Sequence, residues 1–217
     1  AQVPLLSEQA PNLQQTLSSI AMITGSGVLC GIVSIGVLPL IENAFKLTTP
    51  TKLLELSDPT HPLTKRLMIE APGTYHHSVL VANLAEAGCN AVGGFSLLAR
   101  VGAYYHDIGK VENPLYFKEN QRNNINMHDS LTPERSAEII RRHVPAGVEL
   151  LRKYKMPREI IDIAHNHHGS GTVGYFYAEA LKADPHTKKE DFQYEGNPPE
   201  TKEQAIVMLA DVVEAAV

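Results

Sequence analysis

Apolar and polar positions along the chain recur at helical spacing almost throughout, and no stretch alternates in the way that would mark a strand. The first helix differs from the rest. No charged residue lies between Glu8 and Glu42, and residues 17–41 are apolar and long enough to cross a bilayer. Gly27 and Gly31, four apart and followed by Ser34, would let another helix pack closely in lipid. The glycines and hydroxyls suit a helix packed among others better than a lone anchor. The alternative is a buried core helix of a soluble protein. No basic residue precedes the apolar run, which argues against a cleaved signal peptide. The first basic residues after it are Lys46, Lys52, Lys65 and Arg66, so the remainder is expected on the cytoplasmic side of a cell membrane. The chain reads as beginning inside a larger protein.

Thr-Thr-Pro at 48–50 predicts a short helix that ends near Ser57-Asp58-Pro59, and a second follows His61-Pro62 to Glu70. Residues 48–70 therefore read as a connector, with residues 1–47 as the end of a membrane region and 71–217 as the domain. Ala-Pro-Gly-Thr at 71–74 opens a long, largely buried helix that ends at Gly93-Gly94. It carries His76 and His77, which point about 100° apart, so both cannot face one site equally. Residues 95–105 form the helix that delivers His106 and Asp107. Residues 113–129 are polar and predict a loop with a helical turn. Thr132-Pro133-Glu134 starts a helix over 134–142 that His143 closes, and Pro145 starts a separate helix through Tyr154. A helix over 160–164 then runs into His165, His167 and His168. A helix over 173–182 and a charged loop over 184–200 lead to a final helix at 202–217. Asp211 lies in an apolar stretch of that helix, where an acid is costly unless paired or metal-bound.

Charge is nearly balanced, with 19 basic and 24 acidic side chains, which excludes a coat for a nucleic-acid polymer. Cys30 and Cys89 form no Cys-x-x-Cys pair, so neither a disulfide framework nor a zinc-thiolate site is expected. The glycine-rich phosphate-binding loops and the Gly-x-Ser-x-Gly nucleophile turn are absent. The informative stretch is residues 103–110, Ala-Tyr-Tyr-His-Asp-Ile-Gly-Lys. His106 offers a nitrogen ligand. Asp107 offers two oxygens and could bridge two cations. Gly109 lets backbone approach closely, and Lys110 places a cation where a phosphate could sit.

An early helical His, the His-Asp pair, a later His, a double His and a late helical Asp form an ordered series that resembles the HD phosphohydrolase superfamily. Five motifs narrow the resemblance: residues 70–78 (Glu-Ala-Pro-Gly-Thr-Tyr-His-His-Ser), 103–110, 117–121 (Phe-Lys-Glu-Asn-Gln), 136–140 (Ser-Ala-Glu-Ile-Ile) and 209–215 (Leu-Ala-Asp-Val-Val-Glu-Ala). They resemble the seven-transmembrane-receptor HD family of the PgpH type, over nearly all of residues 35–217. The resemblance implies an all-α HD-domain bundle around a dinuclear metal site, preceded by one transmembrane helix. It also implies hydrolysis of cyclic di-AMP to linear pApA. It places His77, His106, Asp107 and Asp211 on one metal and Asp107, His143, His167 and His168 on the other. His77 is preferred to His76 because the family ligand precedes the Ser. Two departures stand out: the family's late Phe-Arg-Tyr-Pro-Gly loop reads Phe-Gln-Tyr-Glu-Gly at 192–196, and Ser170 stands where Thr is usual.

Such a nitrogen- and oxygen-rich set suits two divalent ions, Fe or Mn first, with Zn, Co and Ni not excluded. A hydroxide bridging the metals would attack phosphorus opposite the ribose 3′ oxygen, with Asp107 and Lys110 as catalytic groups. His128 and His76 are candidate proton donors. Tyr104, Tyr105, Tyr116 and Phe117 are available to stack adenine. Expected partners are a cyclic dinucleotide, the membrane through residues 17–41 and, as an open option, a second copy in a homodimer. Competing readings are an HD hydrolase of cyclic di-GMP or guanosine tetraphosphate, a non-catalytic nucleotide-sensing output domain, and a di-iron oxygenase.

Overall fold

The structure, a computed structural model, describes residues 12–45, 48–121 and 125–216. Lys46, the Asn123-Asn124 pair and the start of the chain as far as Glu8 lie outside the described residues. The fold divides into two units, Ala1–Leu47 and Thr48–Val217. The first contains α1, Leu13–Phe45. Its stretch Leu13–Glu42 is 30 residues of apolar helix, about 45 Å at the helical rise and more than a hydrocarbon core requires. Its large side chains, Leu17, Ile23, Leu29 and Ile35 among them, are exposed within the unit.

Among its described residues the second unit is helical apart from turns and one isolated bridge. Thr49 caps α2, Pro50–Leu56, by accepting from the Lys52 N–H. His61 does the same for α3, Pro62–Glu70, through its Nδ1 and the Leu63 N–H. Residues 48–70, read above as a connector, place Leu53, Leu56, Leu63 and Leu67 in the principal core, with Tyr105, Ile108, Leu151 and Ile160. A long helix, α4 (Pro72–Val92), pairs with α5 (Ser96–Tyr105) and with the last helix, α9 (Lys202–Ala215). Val81, Ala82, Ala85, Ala99, Ala103, Ile163 and Val207 fill the space around them. Between them in sequence lie α6 (Pro133–Lys153), α7 (Arg158–Asn166) and α8 (Gly174–Ala183). Three single turns of 3₁₀ helix carry residues 108–120.

One expectation is overturned here. The helix over 134–142 does not end at His143, and Pro145 does not begin another; α6 runs unbroken from Pro133 to Lys153 with Pro145 inside it. An interior proline removes one ladder bond and costs about 3 kcal/mol. Packing outweighs that cost. Val144, Ala146, Gly147, Val148, Leu150 and Leu151 are buried on both sides of the proline. The turn Ile108–Glu112 lies directly on this helix, so close that a Cβ at Gly109 would sit 1.9 Å from the His143 carbonyl oxygen and 2.5 Å from the Gly147 nitrogen. That contact joins the His106-Asp107 corner to the helix that carries His143.

Leu53, fully buried, decides whether α2 belongs to the folded unit. Leu53→Ala should lower unfolding stability by about 2–5 kcal/mol, measured by urea denaturation of the chain in detergent. A passive connector would show a change below about 0.5 kcal/mol.

Candidate metal centre

Seven side chains from five segments converge between α4, α5, α6, α7 and α9. The C-terminal end of α5 supplies His106 and Asp107, and α4 supplies His77. His143 projects from the middle of α6, His167 and His168 follow the end of α7, and Asp211 comes from α9. They form two groups that share Asp107: His77, His106, Asp107 and Asp211, and Asp107, His143, His167 and His168. In each group one candidate ligand atom per residue lies within 4.8 Å of the others.

The orientation of the rings is set by the backbone. His106, His143 and His167 each donate Nδ1–H to the carbonyl three residues earlier, at 2.7, 2.6 and 2.7 Å. His77 donates Nδ1–H to Glu214 at 2.5 Å. With Nδ1 occupied as a donor, each neutral ring turns an Nε2 lone pair inward. His143 and His167 bring their Nε2 atoms within 3.2 Å of each other, and these two atoms lie 3.2 and 3.6 Å from Asp107 Oδ1. His77 and His106 Nε2 lie 3.5 and 3.3 Å from Oδ2. His77 Nε2, His106 Nε2 and Asp107 Oδ1 are buried without a hydrogen-bond partner. Lone pairs and carboxylate oxygens crowded this way fit divalent cations between them, and the absence of thiolates suits harder metals.

Charge divides unevenly between the two groups. Burial works against a charged His106, but the Asp107 and Asp211 carboxylates override it and push its pKa up to about 10. Burial opposes the rise at His77 too, and Asp211 and Asp107 again prevail. Burial pushes His167 down, and burial with the neighbouring His167 and His143 pushes His168 far down. Against its own burial, Asp107 is held well below the usual carboxylate range by Lys110 and His106.

Lys110 lies at the rim, with Nζ 2.7 Å from Asp107 Oδ2, 2.9 Å from Glu119 Oε1 and 4.9 Å from the centre of the Phe117 ring. Thr74 Oγ1 also donates to Glu119, and Asn120 accepts from the Gly73 and Thr74 N–H groups. The 117–121 motif is thereby bonded to the start of the helix that bears His77.

Other candidates lie elsewhere. His76 is exposed, and His165 bonds Asn166. His128 packs between Tyr116 and Phe176 and donates Nε2–H to the Tyr116 carbonyl, outside both groups. Tyr105 is fully buried, bonding Thr64 and the Leu56 carbonyl, so it cannot stack a base. Tyr104 packs against the core and accepts from Arg100. Three residues of the centre escaped the sequence reading. Glu214 stands one helical turn beyond Asp211, a spacing that puts both on one face. Glu119 lay inside a motif already singled out. Tyr194, whose ring stacks 4.3 Å from that of His168, lay between the two substitutions noted in the late loop. Burial and the nearby Asp107 push its pKa upward.

The HD domain family matches residues 74–216. The chain belongs to that family. This HD domain protein is 50% identical over 192 residues to the cyclic-di-AMP phosphodiesterase PgpH of Bacillus subtilis (strain 168), an alignment covering 88% of the chain and 27% of that protein. It is 52% identical over 186 residues to PgpH of Listeria monocytogenes serotype 1/2a (strain 10403S), covering 86% of the chain and 26% of the relative. The chain thus spans about a quarter of the length of these curated relatives. Among solved structures, the L. monocytogenes PgpH HD domain in complex with cyclic-di-AMP superposes with a TM-score of 0.72 at 52% identity, covering 74% of this chain and 75% of that one.

The state of His106 yields a test of metal uptake. A proton held up to about pH 10 must leave before Nε2 can bind a cation. Adding Mn²⁺ to metal-free protein at pH 7.5 should release at least one proton per chain, and affinity should rise with pH. Titration calorimetry in buffers of differing ionisation enthalpy measures both.

Proposed function

We propose that this HD domain hydrolyses cyclic di-AMP to linear pApA as a metal-dependent phosphodiesterase. The observation that carries the reading is the pair of ligand groups joined through Asp107, in which His77 Nε2, His106 Nε2 and Asp107 Oδ1 are buried without a hydrogen-bond partner. The identity to the two PgpH phosphodiesterases, and the likeness to an HD domain crystallised with cyclic-di-AMP, supply the substrate.

In this reading His77, His106, Asp107 and Asp211 hold one cation and Asp107, His143, His167 and His168 the other, with Fe or Mn best suited to the donors. When bound, the ions supply an acidified water and neutralise phosphoryl charge. The protein's own groups do the rest. Backbone carbonyls and Glu214 lock the rings so that little reorganisation accompanies binding or reaction. Lys110, anchored by Glu119, holds positive charge at the rim for the phosphoryl oxygens. Beyond Phe117, whose ring centre is 5.7 Å from that of His143, opens a cleft of about 560 Å³ lined by Tyr116, Tyr175 and Phe176. Its aromatic walls suit a purine. The long apolar helix α1 would tether the domain to a cell membrane, with the domain on the cytoplasmic side.

Chromatography after incubation with cyclic di-AMP and Mn²⁺ should show pApA accumulating faster than any product from cyclic di-GMP or guanosine tetraphosphate. Intact cyclic di-AMP would end the reading. Asp107→Ala should abolish turnover and lower bound metal well below two ions per chain by elemental analysis. His76→Ala should leave metal content at the wild-type value, whereas His77→Ala should reduce it.

A further inference from the structure

The loop over 192–196 crosses the turn that carries His167 and His168, and its backbone is fastened on both sides of Tyr194. Tyr194 N–H donates to the Gly171 carbonyl at 2.9 Å, and Val173 N–H to the Phe192 carbonyl at 2.9 Å. Thr172 and Gln193 form an isolated antiparallel bridge. Arg141 Nη1 donates to the Gln193 carbonyl at 2.7 Å, and Phe192 is fully buried. Gly169, at φ +51°, turns the chain so that the loop can lie against the double histidine. Gln193 and Glu195 line a cavity of about 330 Å³ with Arg141 and Arg142, while the ring between them stacks on the metal centre. That ring lies 4.3 Å from His168, inclined by 31°, and 6.0 Å from His143.

All of this fixes a phenol whose hydroxyl makes no hydrogen bond with the described residues. A phenylalanine would stack as well, so the hydroxyl adds nothing to the packing. Its position complements that of Lys110. The ammonium stands on the Oδ2 side of Asp107, at 2.7 Å. Tyr194 stands with His143 and His168, on the side where His143 and His167 approach Oδ1. A phosphodiester lying over Asp107 would meet Lys110 on one flank and Tyr194 on the other.

We propose that Tyr194 is a catalytic residue whose hydroxyl donates a hydrogen bond to a non-bridging oxygen of the phosphodiester at this centre. The inference rests on the phosphodiesterase reading above. In the reaction a water oxygen bonds to phosphorus and the bond from phosphorus to the ribose 3′ oxygen breaks. The water's displaced proton is balanced by the one that the 3′ oxygen gains. Tyr194 keeps its proton throughout, and its hydrogen bond strengthens as negative charge builds on the phosphoryl oxygens.

The test is Tyr194→Phe in the full chain. Metal content by elemental analysis should match wild type, and kcat for cyclic di-AMP should fall about a hundredfold. A chemical cycle separates contact from structure: with the two phosphorothioate diastereomers of cyclic di-AMP, one should lose far less on Tyr194→Phe, because sulfur has already weakened the bond. A loss below about twofold, or an equal multiplied loss on both diastereomers, overturns the role. If the wild-type enzyme leaves cyclic di-AMP intact but cleaves bis(p-nitrophenyl) phosphate, the substrate reading fails. The Tyr194 comparison on that diester then decides the residue's role by the same twofold threshold. Failure on both substrates removes both proposals.

Discussion

Two imidazole nitrogens 3.2 Å apart, each with its proton committed to the far side of its ring, cannot hydrogen-bond to one another. That constraint organises the centre. A histidine on a flexible surface would rotate to relieve the repulsion. Here the carbonyls of Ile140 and Ala164 hold the two rings in place, and the core packing of α6 and α7 holds those carbonyls. The fold therefore spends part of its packing energy on keeping lone pairs together. Such an arrangement is stabilising only when a cation, or a proton borrowed for the purpose, lies among them. At His106 it is the Asp107 and Asp211 carboxylates that hold such a proton, raising its pKa.

The corner that presents His106 and Asp107 depends on a backbone contact with no side chain in it. Gly109 lies against the His143 carbonyl and the Gly147 nitrogen, where any Cβ would collide. The contact lies on the unbroken helix α6 beside Pro145, and His143 from that helix reaches within 3.2 Å of Asp107 Oδ1. Glycine in the His-Asp-x-Gly stretch thus acts less by freeing a helix end than by letting two ligand-bearing segments touch.

What could be read from the chain divides along physical lines. Features set by local chemistry were legible: the caps at Thr49 and Thr132, the prolines at the first turns of α2, α4 and α6, and the helical period of the apolar residues. The ordered His and Asp series was legible because it resembles a family pattern, and the fold brings all seven members together. Features set by distant packing were not. Pro145 carries a local signal to stop, and only the burial of residues on both sides of it shows why the helix continues. Leu53 and Leu67 read as part of a connector because nothing nearby in sequence reveals that Tyr105 and Leu151 cover them. Tyr194 lies in a largely polar loop, and its stacking on His168 depends on backbone bonds to residues about 20 positions earlier. Glu214 was within reach, since three residues along a helix from a candidate ligand is where an orienting carboxylate belongs.

Charge explains why such a centre suits phosphate. With two divalent cations bound, the two carboxylates and the neutral imidazoles would leave the ligand set at about plus two. Lys110 and Glu119 nearly cancel each other beside it. A neutral or cationic substrate gains nothing from that excess, and a phosphodiester anion neutralises part of it in a site where few other dipoles can. The rim reinforces the preference. Lys110 cannot leave without exposing Glu119 and Asp107 to one another, so the ammonium stays where an arriving anion meets it. Oxygen chemistry at a di-iron centre needs an open coordination position but no fixed external cation. Anion recognition is what gives Lys110 and its anchor a purpose beyond structure.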